Sequence, residues 1–171
     1  MRILYVCTGN ICRSPTAERL TTAYAAEAGR DDLSAHSAGT RAMVGYGVEP
    51  TAALVLQQLG GDPEGFSARR LTTAIAEDAD LLITMSERQR GKVIELAPRK
   101  MRVTFTLREA ARIQEASGAT TVADLATARA QFPAPGPEDI VDPIGRDEET
   151  FVAVGTEIAD LLLPLLGRLR S

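Results

Sequence analysis

The sequence predicts an α/β fold in which a four-stranded parallel sheet is flanked by helices in a single domain. Short apolar runs alternate along the chain with stretches whose apolar residues recur at helical spacing, as is typical of parallel sheets with crossover helices. The 171 residues are enough to bury one core, and neither an internal repeat nor a linker divides them. A glycine-containing loop directly follows the first apolar run. These observations favour one continuous α/β unit over residues 1–171.

Four short apolar runs are the predicted strands. The first is Ile3-Leu4-Tyr5-Val6, which is apolar at every position, as expected of a strand buried on both faces. The second covers residues 33–38 and enters the turn Gly39-Thr40. The third lies within residues 79–85, and the fourth covers residues 102–105.

The remaining periodic stretches are the predicted helices, at residues 14–28, 50–59, 71–78, 86–96 and from about 147 onward. Ser14 is a favourable N-cap and Pro15 a favourable first helical residue, so the first helix is expected to start there. Residues 106–132 are expected to form one or two helices that divide near Gly118. In the last helix, Pro164 is expected to cause a kink.

Composition narrows the possible partners and location. The net charge of -4 and the sequence pI near 5.1 give no electrostatic support for a nucleic-acid partner. No apolar run is expected to span a membrane, since the longest, residues 161–166, is short and contains Pro164. The N-terminus does not resemble a secretory signal, and two cysteines in one loop do not form a disulfide framework. We therefore expect a cytoplasmic protein, a monomer, with neither nucleic-acid nor membrane partners.

The loop between the first strand and the first helix combines a nucleophile with an anion-binding site. It reads Cys7-Thr8-Gly9-Asn10-Ile11-Cys12-Arg13-Ser14-Pro15. Its backbone amides and the helix N-terminus are expected to converge on one anion, which makes Thr8, Gly9, Asn10, Ile11, Cys12 and Arg13 the predicted phosphate-binding residues. The same amides and the Arg13 guanidinium favour the thiolate form of Cys7. Because a planar guanidinium holds two phosphoryl oxygens while sulfur attacks, the loop predicts phosphoryl transfer through a phosphocysteine.

The full segment from Val6 to Glu18 resembles the low-molecular-weight protein tyrosine phosphatase family. Three weaker matches follow in the family's order: Ser37-Ala38-Gly39-Thr40, then Ala68-Arg69-Arg70-Leu71-Thr72, and then Asp142-Pro143 before the last helix. The resemblance implies the same four-stranded sheet, a phosphorylated protein as substrate, and neither a metal nor an organic cofactor.

The resemblance also implies a role for three catalytic residues. Cys7 is similar to the family nucleophile, and Arg13 to the residue that binds the phosphate and the charge of the transition state. Asp142 is similar to the general acid that protonates the leaving oxygen and then acts as base for the hydrolytic water. Glu138, Asp139 and Asp147 are competing carboxylates, but the Asp-Pro pair favours Asp142.

Supporting roles follow in the same way. Ser14 resembles the hydroxyl that hydrogen-bonds the sulfur, and Asn10 and Ser37 resemble residues that brace the loop. Cys12 leaves two alternatives open: it either fills space in the protein interior, or captures an oxidised Cys7 as a disulfide.

The residues expected around the substrate depart from the family's pattern. Ile144 and Gly145 follow Asp-Pro where phosphotyrosine enzymes usually have one or two aromatic residues. Met43 stands near the place of a common tryptophan, and Phe66 near that of a histidine that helps to brace the loop. Ring stacking should therefore be weaker, although Tyr46, Met43 and Ile144 are candidates for an apolar wall.

These departures leave the substrate open between two phosphorylated side chains. Ile11 favours phosphotyrosine, because the related protein arginine phosphatases typically carry threonine at that position. The ending Asp142-Pro143-Ile144-Gly145 is closer to the arginine phosphatases. A phosphate-binding regulatory module with little turnover is a second alternative. Residues 106–138 are longer than in compact members, which predicts a helical insertion there.

Overall fold

The computed structural model describes residues 1–170 and contains one four-stranded parallel sheet with the strand order β2-β1-β3-β4. Its strands are β1 (Arg2–Cys7), β2 (Ser34–Gly39), β3 (Leu81–Thr84) and β4 (Thr104–Thr106). The predicted α/β fold and all four predicted strands are therefore confirmed. β1 lies between two parallel neighbours, β2 and β3.

Seven α-helices occur in the described residues: α1 (Arg13–Glu27), α2 (Pro50–Gln58), α3 (Thr73–Asp78), α4 (Glu87–Leu96), α5 (Leu107–Ser117), α6 (Val122–Ala128) and α7 (Glu148–Arg168). The predicted division at Gly118 is confirmed, since this residue ends α5 in the left-handed conformation with φ 71°. A 3₁₀ helix at Pro98–Val103 was not predicted, and it delays the start of β4. That residues 106–138 are an insertion stays a prediction.

The starts of two helices differ from the prediction, and each difference has a local cause. α1 begins at Arg13 with Cys12 at the cap position, so the prediction that Ser14 is its N-cap is wrong. The Ser14 hydroxyl lies instead 2.9 Å from the Cys7 sulfur. α3 begins at Thr73 because the amide of Leu71 donates to the Gly39 carbonyl and so continues the edge of the sheet.

Alternate residues of β1 enter cores on the two faces of the sheet. Ile3 and Tyr5 pack in the larger core with residues of α1, α5 and α7, whereas Leu4 and Val6 pack with residues of α3 and α4. Each fully buried aliphatic or aromatic side chain contributes about 1.5–3 kcal/mol to the free energy of folding. Packing on both faces therefore fixes the position of β1 and of Cys7 at its end.

Helix α7 bears on the expectation that no apolar run spans a membrane. By length and composition it is apolar enough to cross a membrane, and it continues through Pro164 to Arg168. Its buried side chains, including Phe151, Ile158 and Leu162, pack in the core, which accounts for its apolar character. Because the core helix of a soluble protein can have the same length and apolar composition, this feature is weak evidence for a membrane span.

The strand order places a crevice at the carboxyl end of β1. The chain continues from β1 through α1 to β2 on one side and reaches β3 on the other, so the connections diverge there. Crevices at such switch points are the usual ligand sites of open α/β sheets. Cys7 is the last residue of β1 and therefore lies at this point.

Candidate active site

The loop after β1 is held through its carbonyl groups. Backbone amides of residues 40–49 donate to four of them, in the pairs Thr40 to Cys7, Arg41 to Thr8, Met43 to Gly9 and Glu49 to Ile11, at 2.7–3.0 Å. Within residues 1–170, the amides of Gly9, Ile11 and Cys12 have no hydrogen-bond partner. Asn10 adopts φ 56°, a left-handed conformation that turns the chain sharply. The loop therefore keeps several amides available for an anion.

The Cys7 sulfur receives hydrogen bonds from within this loop. The backbone amide of Asn10 lies 3.3 Å from it, and the Ser14 hydroxyl lies at 2.9 Å. Cys7 is only 2% exposed. Donors at these positions stabilise negative charge on the sulfur.

A buried hydrogen-bond chain fixes which way the Ser14 hydroxyl points. The Glu18 carboxylate can only accept, so the Ser37 hydroxyl donates to it at 2.5 Å. The Asn10 side-chain amide then donates to the hydroxyl oxygens of both Ser37 and Ser14, at 2.8 and 3.0 Å. The single proton of Ser14 is left for the Cys7 sulfur. The directions of the Ser37 and Asn10 donations are therefore consistent with the carboxylate at the end of the chain.

Arg69 is a residue of this network that sequence reasoning missed. Its backbone amide donates to the Asn10 side-chain carbonyl at 2.8 Å, and its Nε donates to the Ser37 carbonyl at 2.9 Å. The first bond determines which end of the Asn10 amide carries the donors. The Ala68-Arg69 motif marked this position in the sequence, but a role played by a backbone amide leaves no signal in the residue type.

Arg13 and Asp142 form an ion pair across the mouth of the site. The Nη2 atom of Arg13 lies 2.8 Å from Oδ2 of Asp142, and Nη1 donates to the Ile140 carbonyl at 2.9 Å. The Arg13 side chain is buried, whereas about half of the Asp142 side chain is exposed. The Ile140 amide donates to the Met85 carbonyl at 2.8 Å, which ties the segment before Asp142 to the end of β3.

The three competing carboxylates have structural partners elsewhere. Glu138 pairs with Arg112 at 2.6 Å, and Asp139 accepts from the Glu87 amide at 2.8 Å. Asp147 caps α7 through the Thr150 amide at 2.9 Å. Of these four carboxylates, Asp142 alone lines the pocket that contains Cys7.

That pocket has a volume of about 290 Å³. Besides the loop and Asp142, it is lined by Arg41, Met43 and Ile144. The structure thus places two of the three predicted wall residues at the site, while Tyr46 does not line the pocket. Arg41 was not predicted from the sequence, because an exposed arginine in a turn has no distinguishing pattern.

A family model for low molecular weight phosphotyrosine protein phosphatases matches residues 2–124. The chain belongs to this family. Among its relatives, the low molecular weight protein-tyrosine-phosphatase Wzb of Escherichia coli K12 is 44% identical over 96 residues. This match covers 56% of the chain and 62% of Wzb, so it spans less than two thirds of that relative.

Two solved structures of the family show that the fold is shared over almost the whole chain. The low molecular weight protein tyrosine phosphatase of T. tengcongensis has a TM-score of 0.77 at 28% identity, covering 98% of both chains. The YwlE arginine phosphatase of Geobacillus stearothermophilus has a TM-score of 0.73 at 28% identity, covering 96% of this chain and 89% of its own. The family fold therefore accommodates proteins named for two different phosphorylated residues.

Cys12, the second cysteine of the family loop, lies in an apolar setting. It is buried with Ala52, Val55 and Phe151. Burial raises the pKa of the Cys12 thiol well above its usual range, and the negative charge of Cys7 raises it further. Both cysteines are free thiols. The protonated form of Cys12 is a weak nucleophile, and its predicted redox role stays a prediction.

Proposed function

We propose that this protein is a phosphomonoesterase that hydrolyses protein phosphotyrosine through a phosphocysteine on Cys7. The observation that carries the proposal is one pocket that contains the Cys7 sulfur, the Arg13 guanidinium and the Asp142 carboxyl. A nucleophile, a cation for the phosphoryl oxygens and a candidate acid are the groups that this chemistry requires.

In the first step the Cys7 thiolate attacks phosphorus, forming the S–P bond while the bond to the tyrosine oxygen breaks. Loop amides and Arg13 hold the other phosphoryl oxygens. Phosphate replaces the Asp142 carboxylate on the Arg13 guanidinium. The released Asp142 carboxylate takes up a proton from solvent and then gives it to the leaving oxygen. The ion pair supports this exchange, since Nη2 of Arg13 lies 2.8 Å from Oδ2 of Asp142.

In the second step water attacks the phosphocysteine and inorganic phosphate is released. Asp142 accepts a proton from the water, and the S–P bond breaks to regenerate the thiolate. The Ser14 hydroxyl and the Asn10 amide stabilise the departing sulfur through the bonds at 2.9 and 3.3 Å.

Phosphotyrosine is the proposed substrate because Met43 and Ile144 offer apolar contact for a phenyl ring. Their side chains line the pocket and are 43% and 46% exposed. Contact with aliphatic and thioether groups binds a ring without the geometry of aromatic stacking.

Arginine phosphatase activity is the second candidate function. It is favoured by Ile144 and Gly145 after Asp142-Pro143, and by the structural similarity to YwlE. Turnover of matched phosphotyrosine and phosphoarginine peptides, measured side by side, decides between the two substrates. A higher kcat/KM for phosphoarginine would replace phosphotyrosine as the proposed substrate.

The mechanism is tested by following aryl phosphate hydrolysis at mildly acidic pH with wild type and Cys7→Ser. Rapid acid quenching should trap phosphate on the wild-type sulfur, and Cys7→Ser should lose turnover. Cys12→Ser is the matched control, since it removes the other thiol and should still form the intermediate. Hydrolysis that survives Cys7→Ser would exclude the mechanism, and phosphate binding without hydrolysis would favour a phosphate-binding regulatory module.

We further infer that the substrate is a phosphorylated protein and that the enzyme is a cytoplasmic monomer. Two free thiols, one of them the proposed nucleophile, favour a reducing compartment. Light scattering coupled to size exclusion, over a range of concentrations, measures the oligomeric state.

A further inference from the structure

A second pocket, here termed the basic pocket, adjoins the catalytic one. It has a volume of about 230 Å³ and is lined by Thr8, Thr40, Arg41, Ser86, Arg88, Gln89 and Lys92. Thr8 and Arg41 line both pockets. Three of the lining residues are cations and none is a carboxylate, although the net charge of the whole chain is -4.

The basic pocket is held at a fixed position relative to the phosphate-binding loop. Gln89 is 4% exposed, and its Nε2 atom donates to the Thr8 hydroxyl at 3.1 Å. The Gln89 side-chain carbonyl accepts from the Met85 amide at 3.0 Å. The first turn of α4, which carries Arg88, is thereby tied both to the loop and to the end of β3. An anion bound in this pocket would lie at a defined distance from a phosphate on the loop.

The positive charges of the basic pocket are available to a ligand. Arg41 and Arg88 are exposed, and neither forms an ion pair with a carboxylate of residues 1–170. Lys92 pairs with Glu95 at 2.7 Å, but more than half of each side chain is exposed. Such surface pairs are worth little, so Lys92 can turn to another anion.

We propose that the basic pocket is a substrate subsite for an anionic side chain, a carboxylate or a second phosphate, that flanks the phosphorylated residue. Charge complementarity and the shared Thr8 and Arg41 support this occupant, because Arg41 lines both pockets and can contact a substrate that extends from one to the other. A guanidinium binds either anion through paired hydrogen bonds. The inference rests on the proposed function, since it extends the same substrate across a second pocket.

The test compares phosphotyrosine peptides that differ only in the flanking residues, which are aspartate, asparagine or a second phosphotyrosine. For wild type we expect kcat/KM for the anionic peptides to exceed that for the asparagine peptide on the order of tenfold at low salt. Added salt should reduce this ratio. The double substitution Arg88→Gln with Lys92→Gln should bring the ratio towards one. A larger ratio for aspartate or for the second phosphotyrosine identifies which anion the subsite takes.

Arg99→Gln is the matched control, because Arg99 is an exposed arginine that lines neither pocket. This variant should keep the wild-type ratio, and a loss equal to that of the double variant would overturn the subsite. Equal kcat/KM for anionic and neutral peptides with wild type would overturn it as well. Turnover of a small aryl phosphate is measured in parallel, so a failure of the proposed function is recognised separately.

Discussion

At the residue scale, Asp142 combines an observed ion pair with Arg13 and a proposed role as general acid. Its carboxylate forms an ion pair with Arg13, so an anion already lies beside the guanidinium that the substrate phosphate needs. A bound phosphate dianion would repel this carboxylate from Arg13, which favours its movement towards the leaving group. In the proposed mechanism, the same contact therefore neutralises Arg13 before substrate binds and holds the acid close to the phosphate site.

We expect Asp142→Asn to slow substrates in proportion to how poor their leaving group is. For phenyl phosphate kcat should fall by about 10²–10⁴, the range of general acid catalysis, whereas a nitrophenyl ester needs little protonation and should lose much less. Steady-state rates with a series of substituted phenyl phosphates measure this dependence. Glu148→Gln, which removes an exposed carboxylate outside the pocket, is the control. Equal losses across the series would contradict the acid role.

Ser37 acts on the sulfur only through the chain of hydrogen bonds. In Ser37→Ala the Asn10 amide loses one of its two acceptors, so it is held less firmly against Ser14, although the Arg69 amide still orients it. Thiolate departure should then slow on the order of tenfold, with less effect on sulfur attack, so phosphocysteine accumulates. Quenched-flow measurement of the intermediate distinguishes this from a structural loss, which would lower both steps. Ser34→Ala, an exposed serine of the same strand, should leave the accumulation at the wild-type level.

Cys12 links the site to the pH dependence of stability. The folded protein raises the pKa of this thiol through burial, whereas an unfolded cysteine ionises near pKa ~8.5. The contribution of the protonated Cys12 thiol to the free energy of unfolding is therefore complete below that pH. It is lost as the pH rises above it, because the unfolded state then releases the proton more readily than the folded state. Urea titrations between about pH 7 and 10 should show a steeper fall in the free energy of unfolding for wild type than for Cys12→Ala. Parallel curves would show that ionisation of Cys12 is not coupled to unfolding.

At the scale of secondary structure, the end of β2 lies so close to the loop after β1 that it leaves no room for a side chain at Gly39. A Cβ atom at Gly39 would lie 2.5 Å from the Thr8 carbonyl oxygen and 3.0 Å from the Cα of Ala42, both in the backbone. Gly39 is needed here because β2 approaches the loop after β1 closely. The pairing of β1 with β2 therefore constrains the backbone of the loop at Thr8 as well as the sheet.

We expect Gly39→Ala to lower the free energy of unfolding by about 1–3 kcal/mol, as overpacked sites do, and to lower kcat/KM because Thr8 must shift. Gly47→Ala is the matched control in the same segment, since a Cβ atom there meets nothing within 4 Å. Chemical denaturation and aryl phosphate kinetics on both variants test this. A Gly39→Ala enzyme as stable and active as the control would show that the backbone around Thr8 moves without cost.

At the scale of the whole molecule, the features that could be predicted from the sequence are those encoded by hydrophobic periodicity and by contiguous motifs. The four strands and the break at Gly118 follow from patterns within a few residues. The bonds that organise the loop join distant segments, such as Arg69 to Asn10, and often use backbone atoms. The helix-cap prediction for Ser14 was wrong for this reason: its residue type fits a cap, but Cys7 and Asn10 both lie within reach of its hydroxyl.

The support of the loop by residues 40–49 has a consequence for redesign. Arg41, Met43 and Glu49 hold the loop through their backbone amides, so their side chains are not needed for that contact. Arg41 and Met43 nevertheless line the pocket that contains Cys7. If the proposed function holds, libraries that randomise these two positions are expected to change substrate choice while Cys7 stays in place. Proline is the one residue to leave out, because it has no amide hydrogen to donate.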